Sequence, residues 1–165
     1  MFINYYSAKS DKECISDLGY SYSFSSGRKL RFIRTPYAHS SGSFVTYDEK
    51  TKVVFSGDLF GGYDTDWNLY SLLFDKCTDC EPQRICPENE KHCQMVGMTD
   101  FHKRIMTSTK ALKYALKQIE GLEVSLIAPQ HGSIFNTPFS CEVAKKHLDK
   151  LTGVGIDGVL EEEGA

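Results

Sequence analysis

Long apolar runs are missing from this chain of 165 residues. No stretch approaches the roughly 18 consecutive apolar residues that a membrane-spanning helix needs. The opening MFINYYSAKSDKE has neither the basic start nor the apolar segment of a signal peptide. A cytoplasmic location without a membrane partner is the expectation. An excess of positive charge is missing as well: 19 Lys and Arg stand against 22 Asp and Glu, for a net charge of −3. No Lys/Arg cluster interleaves with aromatic residues, so nothing supplies the field that a phosphate backbone requires, and nucleic acid is excluded as an expected partner. What is present is globular composition, since 41% hydrophobic with 25% charged residues suffices for one ordinary domain with a buried core.

The residue pattern predicts antiparallel sheet first and helices later. Residues 29–34 (KLRFIR), 43–47 (SFVTY) and 52–56 (KVVFS) are short β-rich runs, and 48–51 (DEKT) reads as a hairpin turn between the last two. An earlier strand over 19–24 pairs with 30–33 across Ser25-Ser26-Gly27-Arg28. From Thr99 the period changes. Phe101, Ile105, Leu112, Ala115, Leu116 and Ile119 recur at helical steps, predicting one long helix over 99–119 with Thr99 as N-cap and Gly121 as stop. Residues 124–128 (VSLIA) form a short strand of buried type. From Pro138, a first-turn proline, Phe139, Val143, Leu148 and Leu151 mark a closing helix that ends at Gly153. This order fits the α/β (α+β) class and half of an αβ/βα sandwich, a mostly antiparallel sheet with flanking helices. Such a half leaves one sheet edge and part of its core open, so a partner is expected, either a missing N-terminal half or a second copy in a homo-oligomer. The domain is expected over 1–157 with a Cys-rich insertion at 77–93. The acidic tail 158–165 (GVLEEEGA) reads as a solvated terminus or linker.

Three single residues stand where a predicted strand gives way to a turn: His39 in TPYAHS, Asp58 in FSGDLF and His131 in IAPQHG. Imidazole nitrogen and carboxylate oxygen are the usual donors to zinc and non-haem iron, and a carboxylate can bridge two ions. His39, Asp58 and His131 are therefore the candidate metal ligands. A second candidate site is Cys77-x2-Cys80-x5-Cys86-x6-Cys93, where four thiolates in one polar loop could hold Zn²⁺ or an iron–sulfur cluster. The plainer alternative is a flexible surface loop with reduced thiols, or one disulfide outside the cytoplasm. His92 could replace one thiol. Cys14 and Cys141 lie apart and read as packing residues. His102 reads as a partly exposed helix residue, with support of a metal ligand from behind as the alternative, and His147 as a solvent-side residue. For Phe60, Tyr63 and Trp67, ordinary core packing is preferred over shielding of a gas-binding pocket.

The stretch TPYAHSSGSFVTYDEKTKVVFSGDLFG followed by LIAPQHGSIF resembles the second half of a metallo-β-lactamase-fold domain, in the branch of flavodiiron and oxygen-binding di-iron proteins. The Thr-Pro-x-x-His turn, the 19 positions between His39 and Asp58 and the Ala-Pro-x-His-Gly turn carry the likeness, which covers roughly residues 15 to 155. Hydrolase members of the superfamily more often place one residue fewer between Thr-Pro and His. The resemblance implies a di-iron centre of two Fe ions with Asp58 as bridge, His39 on one ion and His131 on the other. It further implies that the protein binds, senses or reduces dioxygen, or nitric oxide, with electrons from a separate redox partner protein. No flavodoxin-like FMN module follows in this chain, and the superfamily's first metal motif, His-x-[Glu/His]-x-Asp-His, does not occur in it. Met1 to Ser7 resemble the segment that follows that motif. The chain is then expected to be a C-terminal half, a half completed by another chain, or a half-domain that has lost its metals. Oxidoreductase chemistry is implied only for a completed site. A dinuclear zinc hydrolase, or a non-catalytic fragment organised by the Cys-rich metal loop, are the alternatives.

Overall fold

The computed structural model describes residues 13–164, so the Met1 to Ser7 segment lies outside the described residues. Five strands among them form one sheet in chain order: β1 (Ser21–Ser23), β2 (Lys29–Arg34), β3 (Phe44–Asp48), β4 (Val53–Gly57) and β5 (Leu126–Pro129). β1 to β4 run antiparallel, and β5 joins β4 in parallel. The expected hairpin turn forms between β3 and β4. Buried Asp48 organises it, accepting hydrogen bonds from the Lys50 amide at 3.0 Å and the Thr51 hydroxyl at 2.5 Å and pairing with Arg28. The Arg28 guanidinium, aided by these donors, holds the Asp48 carboxyl well below the usual carboxylate range.

Strand alternation gives the sheet two unlike faces. Ile33 opposite Val45, and Tyr47 opposite Val54 opposite Ile127, lie on one face. All five belong to the hydrophobic core or pack against it. Helices α2 (Thr109–Gln118) and α3 (Pro138–Lys150) supply Leu112, Ala115, Leu116, Ala144 and Leu148 to the same core. The other face carries Phe32 opposite Thr46 opposite Phe55, with Phe44 two positions along. Phe44 and Phe55 are 40% and 47% exposed, and Phe32 and Phe44 stack edge to face at 5.8 Å. A sheet with helices on one face and exposed aromatic rings on the other is the expected half of a four-layer sandwich.

In place of one long helix over 99–119 there are two, α1 (Gln94–Ile105) and α2. The apolar steps run through the break because both helices bury against one core, Met106 included. What ends the first helix is local. Met106 and Ser108 are extended, and the Ser108 side chain accepts from the Ala111 amide at 3.2 Å, capping α2. Replacing Ser108 with alanine should lower stability by about 1 kcal/mol in chemical denaturation, and an unchanged midpoint would show that this cap contributes nothing. The closing helix α3 begins as expected at Pro138, with Thr137 and Ser140 in a reciprocal capping box. Residues Ile156–Glu163, within and just before the acidic tail, form α4, which has no buried residue. Asp157 accepts from the Thr109 amide at 2.8 Å and so ties α4 to the start of α2. Among the described residues no helix is long and apolar enough to cross a membrane.

Candidate metal centre

β2, β4 and β5 point the same way, and each delivers one candidate ligand at its C-terminal end. The β2–β3 loop carries His39, the turn after β4 carries Asp58, and the turn after β5 carries His131. The parallel pairing of β4 with β5, extended by the Gln130 amide on the Gly57 carbonyl at 2.8 Å, sets the last two turns side by side. His39 Nδ1 lies 2.7 Å from Asp58 Oδ2. His131 Nε2 lies 3.6 Å from Asp58 Oδ1, close but too long for a hydrogen bond. The two oxygens of one carboxylate therefore face two different imidazoles. All three side chains reach solvent, His39 and His131 at about half exposure.

Backbone strain gathers in the same turns. His39 has φ 87°, Tyr37 63° and Phe60 66°, all in the left-handed region that costs non-glycine residues roughly 1–3 kcal/mol each. Neighbouring contacts hold them there. The Thr107 hydroxyl donates to the Tyr37 carbonyl at 2.8 Å, so the break between α1 and α2 braces the His39 turn. After His131, Gly132 has φ 85°, and a Cβ there would stand 2.9 Å from the Gly62 carbonyl oxygen. Gly132→Ala should therefore destabilise the fold by about 2 kcal/mol. Thermal melting measures this, and an unshifted midpoint would mean that the turn tolerates a side chain.

His102 corrects the expectation of a partly exposed residue, for it is fully buried behind Asp58. Its Nε2 accepts from the Phe60 amide at 3.0 Å, and its Nδ1 donates to the Met98 carbonyl at 2.7 Å. That leaves the ring neutral with both nitrogens used. Burial pushes its pKa down to about 4, against the Met98 hydrogen bond and the Asp58 charge. His102 thus fixes the backbone two residues after Asp58 and has no lone pair left for a metal. His147 is likewise buried rather than solvent-side, its Nε2 donating to the Cys77 carbonyl at 2.6 Å. Phe60 is core, whereas Tyr63 and Trp67 are 49% and 56% exposed. Tyr63 accepts from Arg104 at 2.9 Å and stacks edge to face on Phe101, whose ring lies 6.3 Å from that of His131. Cys141 packs in the core as expected, but Cys14 is exposed.

Two neighbouring donors on one cation, at bonds of about 2.1 Å and a right angle, stand roughly 3 Å apart. The two Asp58–histidine distances bracket that spacing. As the side chains stand, no group of three or more His, Cys, Asp or Glu among the described residues is arranged to hold a cation. His39 and Asp58 are hydrogen-bonded to each other instead. In donor type and spacing, His39, Asp58 and His131 fit one side of a two-ion site and not the whole of it. With two ions bound, such a site supplies open coordination positions for a small ligand.

The four candidate cysteines lie elsewhere. Cys77 is buried on a 3₁₀ turn, Asp75–Thr78, and Cys80 follows it with Sγ 3.6 Å from the Cys77 carbonyl. Cys86 and Cys93 sit on a small hairpin around the Ile85–His92 bridge, and Cys93 starts α1. None is in a disulfide. His92 Nε2 lies 2.8 Å from Asp64 Oδ2, a close polar contact without hydrogen-bond alignment.

The family model described as ODP family beta lactamase matches residues 1–132. Among solved structures, the fold resembles the chemotaxis sensor ODP, solved as a peroxy di-iron species, with TM-score 0.69 and 26% identity over 86% of this chain and 53% of that one. The apo state of the same sensor from T. denticola gives TM-score 0.67 at 26% identity, covering 86% and 51% of the two chains. The anaerobic nitric oxide reductase flavorubredoxin of Aeromonas hydrophila is 30% identical over 120 residues, 71% of this chain and 21% of that protein. The chain thus spans about half the length of the sensor and about a fifth of the reductase. A sheet open on one face and three turns carrying the candidate ligands at one sheet end agree with those likenesses, and the chain belongs to the ODP family of the metallo-β-lactamase fold, in its flavodiiron branch.

Proposed function

We propose that His39, Asp58 and His131 ligate a pair of iron ions, with Asp58 as the shared ligand, in a protein that binds, senses or reduces dioxygen or nitric oxide. The observation that carries this is the carboxylate of Asp58, whose two oxygens face different imidazoles at 2.7 and 3.6 Å. Two ferrous ions would supply open positions and electrons for a diatomic ligand. The chain's own residues do the rest. The Phe60 amide held by His102 fixes the Asp58 turn. Phe101 packs beside His131, with Tyr63 stacked on Phe101 in turn. The remaining ligands come from a segment bearing the superfamily's first metal motif, packed as a second layer on the open face around Phe44 and Phe55. Further support is the likeness to about half of an oxygen-related di-iron sensor. Residues 1–157 then form a half-domain in the cytoplasm, fed with electrons by a separate redox protein. The test is anaerobic loading with ferrous iron of a protein carrying both halves. Iron bound at two per chain, with a visible band appearing on exposure to oxygen, is expected. Zinc in its place with esterase activity would overturn the proposal.

A further inference from the structure

Residues 65–93 pose a problem of stability. Only Ser71 and Cys77 among them are buried, and regular structure is limited to one 3₁₀ turn and two isolated bridges. An irregular segment of this length has no core to offset its ordering entropy, and such segments inside compact domains are uncommon without a device that holds them. Yet the segment is anchored at defined points. Tyr70 bridges Ile134, the Ser71 amide donates to the Ile134 carbonyl at 2.9 Å, and the Ser133 hydroxyl donates to the Asn68 carbonyl at 2.6 Å.

Three of the four thiols of the segment line one cavity and the fourth, Cys80, closely follows Cys77, although as the side chains stand they do not surround a common point. The Cys86 amide donates to the Lys91 carbonyl at 2.8 Å and the Cys93 amide to the Arg84 carbonyl at 3.0 Å. With Ile85 opposite His92, these contacts put Cys86 and Cys93 on one face of the hairpin as diagonal neighbours. His92 falls on the other face, against Asp64. Cys77, Cys86 and Cys93 line one cavity of about 440 Å³, floored by Phe74 and Leu73. Cys80 completes the two-residue chelate spacing with Cys77, its Sγ 3.6 Å from the Cys77 carbonyl oxygen. Four thiols within one short polar segment, none of them in a disulfide, can be satisfied together by one soft cation that draws them in as thiolates.

We propose that Cys77, Cys80, Cys86 and Cys93 bind a single Zn²⁺ ion as four thiolates, and that this ion pins the 65–93 segment against Ser133 and Ile134, just after His131. Zinc suits the task because it closes a tetrahedron of thiolates and has no redox chemistry of its own. Four thiols lose their protons on binding, so zinc is released in acid. The site is independent of His39, Asp58 and His131.

The test uses the full chain purified under reducing conditions. Metal analysis should find one zinc per chain, and replacement by Co²⁺ should give the sulfur-to-cobalt charge-transfer and tetrahedral visible bands of a four-thiolate site. Cys80→Ser and Cys86→Ser should each lose the zinc, while His39→Ala keeps it in full. Because a cysteine variant could fail to fold, a second reading on the wild type is the release of one zinc equivalent by thiol-specific mercurial, with faster proteolysis within 65–93. A chain without zinc and without the cobalt bands overturns the proposal. So does zinc retained in both cysteine variants, iron in place of zinc at the thiols, or paired disulfides in the reduced preparation.

Discussion

Replacing His102 with alanine is expected to lower the unfolding free energy by about 3–4 kcal/mol. The substitution strips the Phe60 amide of its acceptor in a fully buried place, a loss of roughly 1–3 kcal/mol, and leaves a cavity the size of an imidazole. His102→Gln keeps an acceptor and should recover part of the loss. The ring also gives the wild type a pH signature. Its folded pKa near 4 lies below the ordinary histidine value of 6.5, so between those values the unfolded chain takes up a proton that the folded chain refuses. Stability is therefore complete above about pH 6.5 and falls as pH drops to about 4, by roughly 3 kcal/mol. Asp48, Asp64 and Asp79, whose pKa values are lowered from 3.8, act below that window. Urea titrations across pH 4–7 measure the slope. A wild type with a flat profile there, or a His102→Gln variant with the same slope, would remove His102 from the account.

The second large effect falls on metal. In a protein that carries both halves of the proposed site, Asp58→Ala should weaken iron binding by more than about a hundredfold, since it removes the carboxylate whose oxygens face both imidazoles and which the two ions would share. His39→Ala should reduce iron less, because one ion keeps Asp58 and His131. Iron content after gel filtration reads both. Equal retention in both variants would mean that neither residue is a ligand.

Much of this could be read from residue order, and the misses have physical causes. Strands were legible because the β-rich runs KLRFIR, SFVTY and KVVFS each alternate between a core face and an open one. The first matched its strand, and the other two shifted by one residue, as strand ends do. The break at Ser108 was masked because Met98, Met106 and Leu112 continue the same apolar core contact across it. The start of α1 at Gln94 was hidden inside the cysteine segment, and α4 lacks any buried residue to give it a period. His39, Asp58 and His131 stood out because strand ends on one side of a sheet meet whatever their distance along the chain. The burial of His102 and His147 could not be foreseen. Each depends on a backbone partner far away in sequence, the Phe60 amide and the Cys77 carbonyl, and neither partner announces itself by residue type.

Central to the proposed site is one carboxylate that serves two metal ions, set beside His131 by the parallel pairing of β4 and β5 and beside His39 by the β2–β3 loop. Anaerobic titration with ferrous iron of the protein carrying both halves, read by Mössbauer spectroscopy before and after oxygen, tests it most directly. Two coupled iron sites per chain that respond together to oxygen and vanish in Asp58→Ala are the expected result. A single uncoupled iron, or a spectrum that Asp58→Ala leaves unchanged, would contradict it.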